Sequence, residues 1–296
     1  MVYTVTFNPA IDYCMQTGKI DFGKTNRSSA ESLYFGGKGI NVAVILVRLG
    51  VPAKALGFIA GFTGDALEKA VAEYGVETDF IRLESGYTRI NVKLKGECET
   101  EINAQGPAIT EKELETFFEK LDTLTAGDTL VLAGSVPGTL PKDTYERILE
   151  RLDGRGIRFV VDATKELLSS ALKYHPYLIK PNIHELSELI GKTLTTDEEI
   201  VDGAEKLRQM GARNVLVSLG KDGALLLDEF GNLHRAKALG GKPKNTVGAG
   251  DSMVAGFIAG AARDYEYALL LGSAAGGATA CASGLATREE IEALLP

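Results

Sequence analysis

The stretch N-T-V-G-A-G-D-S, Asn245 to Ser252, runs directly into the apolar segment M-V-A-G-F-I-A-G-A-A at 253–262. Glycines at 248 and 250 let successive backbone N–H groups converge on one concavity, and the small apolar residues that follow read as a helix. A helix N-terminus of this kind receives anionic oxygens. Asp251 is out of place in a passive anion site, because a carboxylate beside bound phosphate is repelled unless it has work there, such as taking a proton from an attacking hydroxyl. Its plainer alternative is to cap the helix, since Asp is a favoured N-cap. A dinucleotide-binding fingerprint fits less well: Met253 stands where G-x-G-x-x-G needs its third glycine.

Outward from this segment, apolar runs rich in β-branched residues alternate with helical patterns, at 3–7, 53–59, 129–133, 158–162, 177–180 and 214–219. Alternation of this sort predicts an α/β fold, with a mostly parallel central sheet flanked by helices. Two segments break it, about 12–35 and 82–104, where polar and apolar residues alternate and Gly96 makes a turn in K-L-K-G-E-C-E-T-E-I-N. They predict half-exposed antiparallel strands that form a small β lid. With no repeat, low-complexity tract or Pro/Ser-rich linker, 1–296 reads as a single domain from which the lid is an excursion. From Gly248 onward the pattern is helical. The charge-free stretch 267–287 is long enough to span a bilayer, but its glycines, serines and threonines favour a helix packed closely into a core.

Composition narrows the function classes. The 296 residues include 40 acidic and 32 basic side chains, a net charge of −8, which argues against a nucleic-acid binder working through a basic surface. Cys14, Cys98 and Cys281 show no C-x-x-C spacing, so neither a disulfide scaffold nor a zinc site is expected. The start M-V-Y-T-V-T-F-N-P-A-I-D lacks a basic region followed by an apolar one, so no secretory signal is read and the expected location is cytoplasmic.

Three further motifs bear on chemistry. G-K-I-D-F-G-K-T, Gly18 to Thr25, satisfies the Walker A pattern, but N-R-S-S-A-E-S-L-Y-F follows and reads as strand where a P-loop needs a helix. The match is therefore rejected. F-G-G-K-G-I-N, Phe35 to Asn41, opens an amphipathic helix; its glycines allow close backbone approach to a ligand, and Lys38 and Asn41 add a cation and an amide. In K-P-N-I-H-E-L, Lys180 to Leu186, Asn182 and Glu185 lie three apart. On an opening helix they share a face and could hold Mg²⁺ through its waters, or they could simply start the helix. His184, between them, reads as surface.

Taken together, these residues resemble the PfkB, or ribokinase-like, family of sugar kinases across essentially the full length. G-G-K-G-I-N resembles its first signature, V-G-A-G-D-S its second, and N-I-H-E its N-x-x-E magnesium motif. Within the family, N-P-A-I-D at 8–12, T-R-I-N-V-K-L at 88–94 and N-T-V-G-A-G-D-S-M at 245–253 look most like members that phosphorylate fructose 1-phosphate, with tagatose-6-phosphate kinases next. The resemblance implies a ribokinase-like α/β sandwich that transfers phosphate from ATP to a small-molecule sugar phosphate with Mg²⁺, bound to neither nucleic acid nor membrane. It further implies that Asp251 is the catalytic base and that the backbone of Gly248, Ala249 and Gly250 forms the anion hole. Asp12 would hold sugar hydroxyls, with Gly37, Lys38 and Asn41 lining the sugar-phosphate site and Arg89 reaching the existing phosphate from the lid. Ser218 and Gly220, in S-L-G-K-D-G, would lie along the nucleotide, and Asn182 and Glu185 would serve the metal. Lids of this family often pair in homodimers. The competing readings are a non-catalytic sugar-phosphate sensor, against which an intact Asp251 argues, and an NAD-binding oxidoreductase, for which an early Gly-rich turn after the first strand is missing.

Overall fold

The computed structural model describes residues 1–163 and 165–296. In chain order its strands are β1 (Val2–Thr6), β2 (Ala10–Gln16), β3 (Ala30–Gly36), β4 (Ala53–Ala60), β5 (Glu77–Thr78), β6 (Ile81–Leu83), β7 (Arg89–Lys95), β8 (Glu99–Ile102), β9 (Thr129–Ala133), β10 (Arg158–Asp162), β11 (Leu178–Ile179), β12 (Asn214–Ser218), β13 (Ala224–Leu227) and β14 (Leu233–Ala236). The main sheet runs β14-β13-β12-β11-β10-β9-β1-β4-β5, with β6 also on β4. Its pairs from β12 through to β5 and β6 are parallel, and the two formed by β13 are antiparallel.

β9, T-L-V-L-A, is buried at all five positions, which is why it reads as an unbroken apolar run rather than an alternating one. Its side chains go to two different cores. Leu130 and Leu132 join Phe7, Phe58, Phe117 and Tyr145 on one face of the sheet; Val131 and Ala133 join Ile40, Val44, Val254 and Ala275 on the other. The second core is covered by helices Lys38–Arg48, Ala249–Gly260 and Tyr265–Cys281. The last two approach through glycines: a methyl built on Gly256 would lie 2.6 Å from the Leu271 carbonyl oxygen and 2.7 Å from the Gly272 Cα. The charge-free 267–287 stretch is thus mostly this packed helix, and among the described residues no helix is long and apolar enough to cross a membrane.

The small second sheet has the order β3-β2-β7-β8. β2 pairs antiparallel with β3 and parallel with β7, and β7 and β8 form the hairpin expected around Gly96. Two boundaries differ from the sequence reading. The lid strands begin at Ala10 rather than near 12, and Ile81–Leu83 belongs to the main sheet, where it extends β4. β5 and β6 are too short, and β13 and β14 too close to a turn, to stand out as periodic runs.

β1 is flanked by β4 on one side and β9 on the other, so strand order reverses there. The crevice outside the carboxyl ends at such a reversal is where open α/β sheets bind ligands. Thr6, Asp162 and Ser218 all end strands at that edge, and the lid leans over it.

Candidate active site

The strand ends and the lid enclose a cleft of about 1490 Å³, larger than the roughly 300–1,000 Å³ of a typical single-ligand pocket, so two substrates can sit side by side. At its floor the helix Ala249–Gly260 begins. Gly248 is its N-cap with φ +80°, a conformation that favours glycine. Asp251 is therefore the third residue of the helix rather than its cap. Among the described residues, the N–H groups of Gly248, Gly250 and Asp251 have no hydrogen-bond partner, whereas the Ala249 N–H turns back to the Thr246 carbonyl at 3.2 Å. Of the three N–H groups expected to form an anion hole, those of Gly248 and Gly250 are open among the described residues and that of Ala249 is engaged; the Asp251 N–H is open as well.

The Asp251 side chain is 5% exposed. Asn41 donates from Nδ2 to its Oδ2 at 2.8 Å. Burial, reinforced by the charge of Asp162, pushes the Asp251 carboxyl up to about 6 despite the opposing pull of Lys38, Asn41 and Lys180. A base poised there is ionised at neutral pH yet basic enough to accept a hydroxyl proton.

Asp162 lies in none of the sequence motifs that point to chemistry, and Lys180, which opens K-P-N-I-H-E-L, has no role assigned to it there. Asp162, 3% exposed, ends β10 and pairs with Lys38 at 3.2 Å and Lys180 at 3.4 Å. Burial pushes its carboxyl up, but the two ammonium groups outweigh that and hold it below the usual range. Burial likewise pulls on the Lys38 ammonium, and the carboxylates of Asp162 and Asp251 more than offset it, so its pKa is raised. Lys180 is 7% exposed, and its Nζ lies 3.2 Å from where a Cβ on Gly250 would stand. That places a buried cation directly against the anion hole. The readable signal was a charged residue closing an apolar strand, as in R-F-V-V-D and Y-L-I-K.

These contacts give Lys38 a second neighbourhood. The sequence puts it among the sugar-phosphate ligands beside Gly37 and Asn41, but its ammonium and the Asn41 amide both point to the Asp162/Asp251 end of the cleft. Gly37, with φ +147°, packs so tightly that a Cβ there would meet Thr6 Cγ2 at 2.5 Å. Arg89, half-buried, donates from Nε to the Asn8 carbonyl at 3.1 Å and from Nη1 to the Ala104 carbonyl at 3.4 Å. Burial lowers its pKa, with Asp12 pulling the other way. Among the described residues it makes no ion pair, leaving a desolvated cation facing the cleft. Asp12 faces the same space, held by Asn91 and Lys93.

Asn182 and Glu185 form a reciprocal cap on the helix Ile183–Ile190: Asn182 Oδ1 accepts from the His184 and Glu185 N–H groups, and Glu185 Oε2 accepts from the Asn182 N–H. The helix-start reading of this motif therefore holds, and Asn182 has its oxygen committed to it. Among the described residues the second oxygen of Glu185 takes no hydrogen bond, and the residue lines the cleft. Among the described residues there is no cluster of three or more His, Cys, Asp or Glu that could cage a metal. Ser218 and Gly220 line the cleft beside Asn182, whose backbone bridges to Ser218. His184 is exposed. The Walker-like segment is an exposed loop between β2 and β3 in which no helix opens, with Lys24 paired to Asp21 at 3.3 Å.

A model of the pfkB family of carbohydrate kinases matches residues 5–292. The chain belongs to that family. It is 46% identical over its whole length to a 1-phosphofructokinase of Bacillus subtilis, of which it covers 98%. It is 37% identical over 96% of its length to a D-tagatose-1-phosphate kinase of Bacillus licheniformis, covering 94% of that protein. Among solved structures, Escherichia coli phosphofructokinase-2 in complex with substrates and products superposes with a TM-score of 0.91 at 30% identity, covering 99% of this chain and 97% of that one. The fold is ribokinase-like, and the chain is an ATP-dependent sugar kinase.

Proposed function

We propose that this kinase transfers the γ-phosphoryl of ATP to the 6-hydroxyl of fructose 1-phosphate, giving fructose 1,6-bisphosphate and ADP. What carries the reading is one cleft with complementary ends: a buried carboxylate beside an open helix N-terminus, and a half-buried guanidinium on the lid held only by carbonyls. Arg89 suits the phosphate already on the sugar, since a planar guanidinium grips phosphate oxygens in pairs. The two curated relatives described above both carry names that put that phosphate on carbon 1 of a ketohexose.

Asp251 takes the proton of the attacking hydroxyl as its oxygen closes on the γ-phosphorus. The N–H groups of Gly248, Gly250 and Asp251, with the Lys180 ammonium, face the charge that spreads over the transferring oxygens. Asn41 keeps the Asp251 carboxylate aimed. Lys38, bridging Asp162 and the neighbourhood of Asp251, offsets the build-up of negative charge where acceptor and donor meet. Mg²⁺, when bound, neutralises phosphate oxygens, and Glu185 is the residue placed to orient its waters. Ser218 and Gly220 lie along the nucleotide.

We further propose that the lid pairs with a second copy through its outer face, where Leu33, Ile90 and Ile102 are 53%, 40% and 59% exposed, and that the enzyme works in the cytoplasm, in keeping with its three unpaired cysteines.

The acceptor is tested by kinetics on fructose 1-phosphate, fructose 6-phosphate, tagatose 1-phosphate and tagatose 6-phosphate. We expect kcat/KM for fructose 1-phosphate to exceed that for either 6-phosphate by at least ~10-fold, about 1.4 kcal/mol of differential transition-state binding. A preference for a 6-phosphate would overturn the acceptor and leave the kinase chemistry standing.

A further inference from the structure

Lys93 sits on the cleft-facing side of β7 with its side chain only 10% exposed. Its Nζ is 3.1 Å from Asp12 Oδ2 and 3.3 Å from Glu101 Oε1. The other oxygen of Asp12 accepts from Asn91 Nδ2 at 2.8 Å, and the Asn91 amide oxygen is itself fixed by the Ala104 N–H at 3.2 Å. The cluster spans three neighbouring strands, with Asp12 opposite Asn91, and Lys93 opposite Cys14 on one side and Glu101 on the other.

A buried ammonium is costly unless paired, and Glu101 alone would meet that need. The second contact, to Asp12, does something else. An ionised carboxylate has about four lone-pair directions; two of those on Asp12 are taken by Lys93 and Asn91, one on each oxygen, and its side chain stays 22% exposed toward the cleft. The group is thus pinned from behind while its remaining acceptor sites face the space a sugar would fill.

We propose that Lys93 is a positioning residue for acceptor recognition: by pinning Asp12 from behind, it fixes the carboxylate that reads the sugar hydroxyls and so sets the discrimination between ketohexose 1-phosphates that differ in the configuration of one hydroxyl. The inference rests on the sugar-phosphate reading of the cleft. Fructose and tagatose differ only at carbon 4, and a rigid acceptor penalises a misplaced hydroxyl by leaving a polar partner unpaired, whereas a loose carboxylate swings to follow it.

The test uses Lys93→Met, Lys93→Arg and Glu101→Gln in the full chain, with thermal melting and the KM for ATP measured beside acceptor kinetics. Lys93→Met is expected to raise the KM for fructose 1-phosphate by ~10-fold or more, as for loss of a charged contact, and to shrink the fructose 1-phosphate over tagatose 1-phosphate preference, with the KM for ATP within ~3-fold. Lys93→Arg restores both. Glu101→Gln leaves both near wild type, because Asp12 remains pinned. If folded Lys93→Met keeps the wild-type KM and preference, or if Glu101→Gln reproduces its defect, the role is structural and the inference falls. If the wild type itself uses a different sugar phosphate, the acceptor reading has failed; the same variants are then compared on that acceptor and its epimer, where a loss of preference in Lys93→Met supports the positioning role and an unchanged preference overturns it.

Discussion

The two walls of the cleft handle charge differently. On the sheet side, Asp162 and Asp251 are 3% and 5% exposed and face Lys38 and Lys180, the four lying at the ends of β10 and β11 and the starts of two helices. On the lid side, Asp12, Lys93 and Glu101 are strung along a four-stranded sheet, and Glu101 is 43% exposed. Desolvation is strong at the end proposed for phosphoryl transfer and weaker at the end proposed to read the sugar. Electrostatic catalysis gains from a dry, fixed site, whereas a surface that must admit and release the sugar cannot be sealed from water.

The sharpest way to separate the walls is Asp251→Asn. With the base lost, kcat is expected to fall by ~10²–10⁴ while the KM for ATP stays within a few fold. Steady-state kinetics on the folded variant checks this, and near-normal turnover would remove Asp251 from the chemistry. The same substitution has a second sign to test. Folding raises this carboxyl to about 6, so its ionised form opposes folding; that penalty is full above about pH 6 and gone below the ordinary carboxylate value near 4. Asp251→Asn should therefore raise stability at pH 7 by the order of 2–3 kcal/mol, seen in denaturant melts. Wild-type kcat/KM should fall about tenfold per pH unit below 6.

Next in size is Arg89→Ala on the lid. Removing a charged phosphate contact should raise the KM for fructose 1-phosphate by ~10–100-fold and leave the KM for ATP nearly unchanged, as a two-substrate titration will reveal. Equal damage to both would mean that the walls are not functionally distinct.

Smaller again is Glu185→Gln. Gln still accepts the Asn182 N–H, so the helix cap survives while the carboxylate charge is lost. Half-maximal activity should move to ~10-fold higher Mg²⁺, the low end for residues that tune a metal from outside its first ring of ligands. A superimposable Mg²⁺ titration would reduce the motif to a cap. The smallest effect belongs to Lys24→Ala in the Walker-like loop: ATP affinity within ~3-fold, since an exposed ion pair contributes little. Loss of ATP binding there would restore a P-loop reading.

How much of this was legible in sequence follows from burial. β9, β10 and β12 read cleanly because strands covered on both faces are continuous apolar runs. The lid read as alternation because one of its faces is polar. β11, with two paired residues, still showed as the short apolar run 177–180, whereas β5, β6, β13 and β14 carry too few positions for a period. In the site, Asp251 and Arg89 were visible because glycines or a T-R-I-N-V-K-L segment frame them. Asp162 and Lys180 were not, because their meaning lies in a meeting between two strand ends that neither segment encodes alone. Lys38 was found, but its pairing with Asp162 was not legible for the same reason: the partner lies 124 residues away.

The glycine contact between helices Ala249–Gly260 and Tyr265–Cys281 makes the position of Asp251 a joint property of both. Gly256 is five residues further along the helix, about 7.5 Å by the α-helical rise, and has no room for even one methyl against Leu271 and Gly272. An alanine there would wedge the helices apart and tilt the end that carries the proposed base, and a displacement of about 1 Å can cost ~10²-fold in rate. A residue that touches no ligand thereby acts as a set screw on the reaction, and variants that lose turnover with the fold intact need not map to the cleft at all.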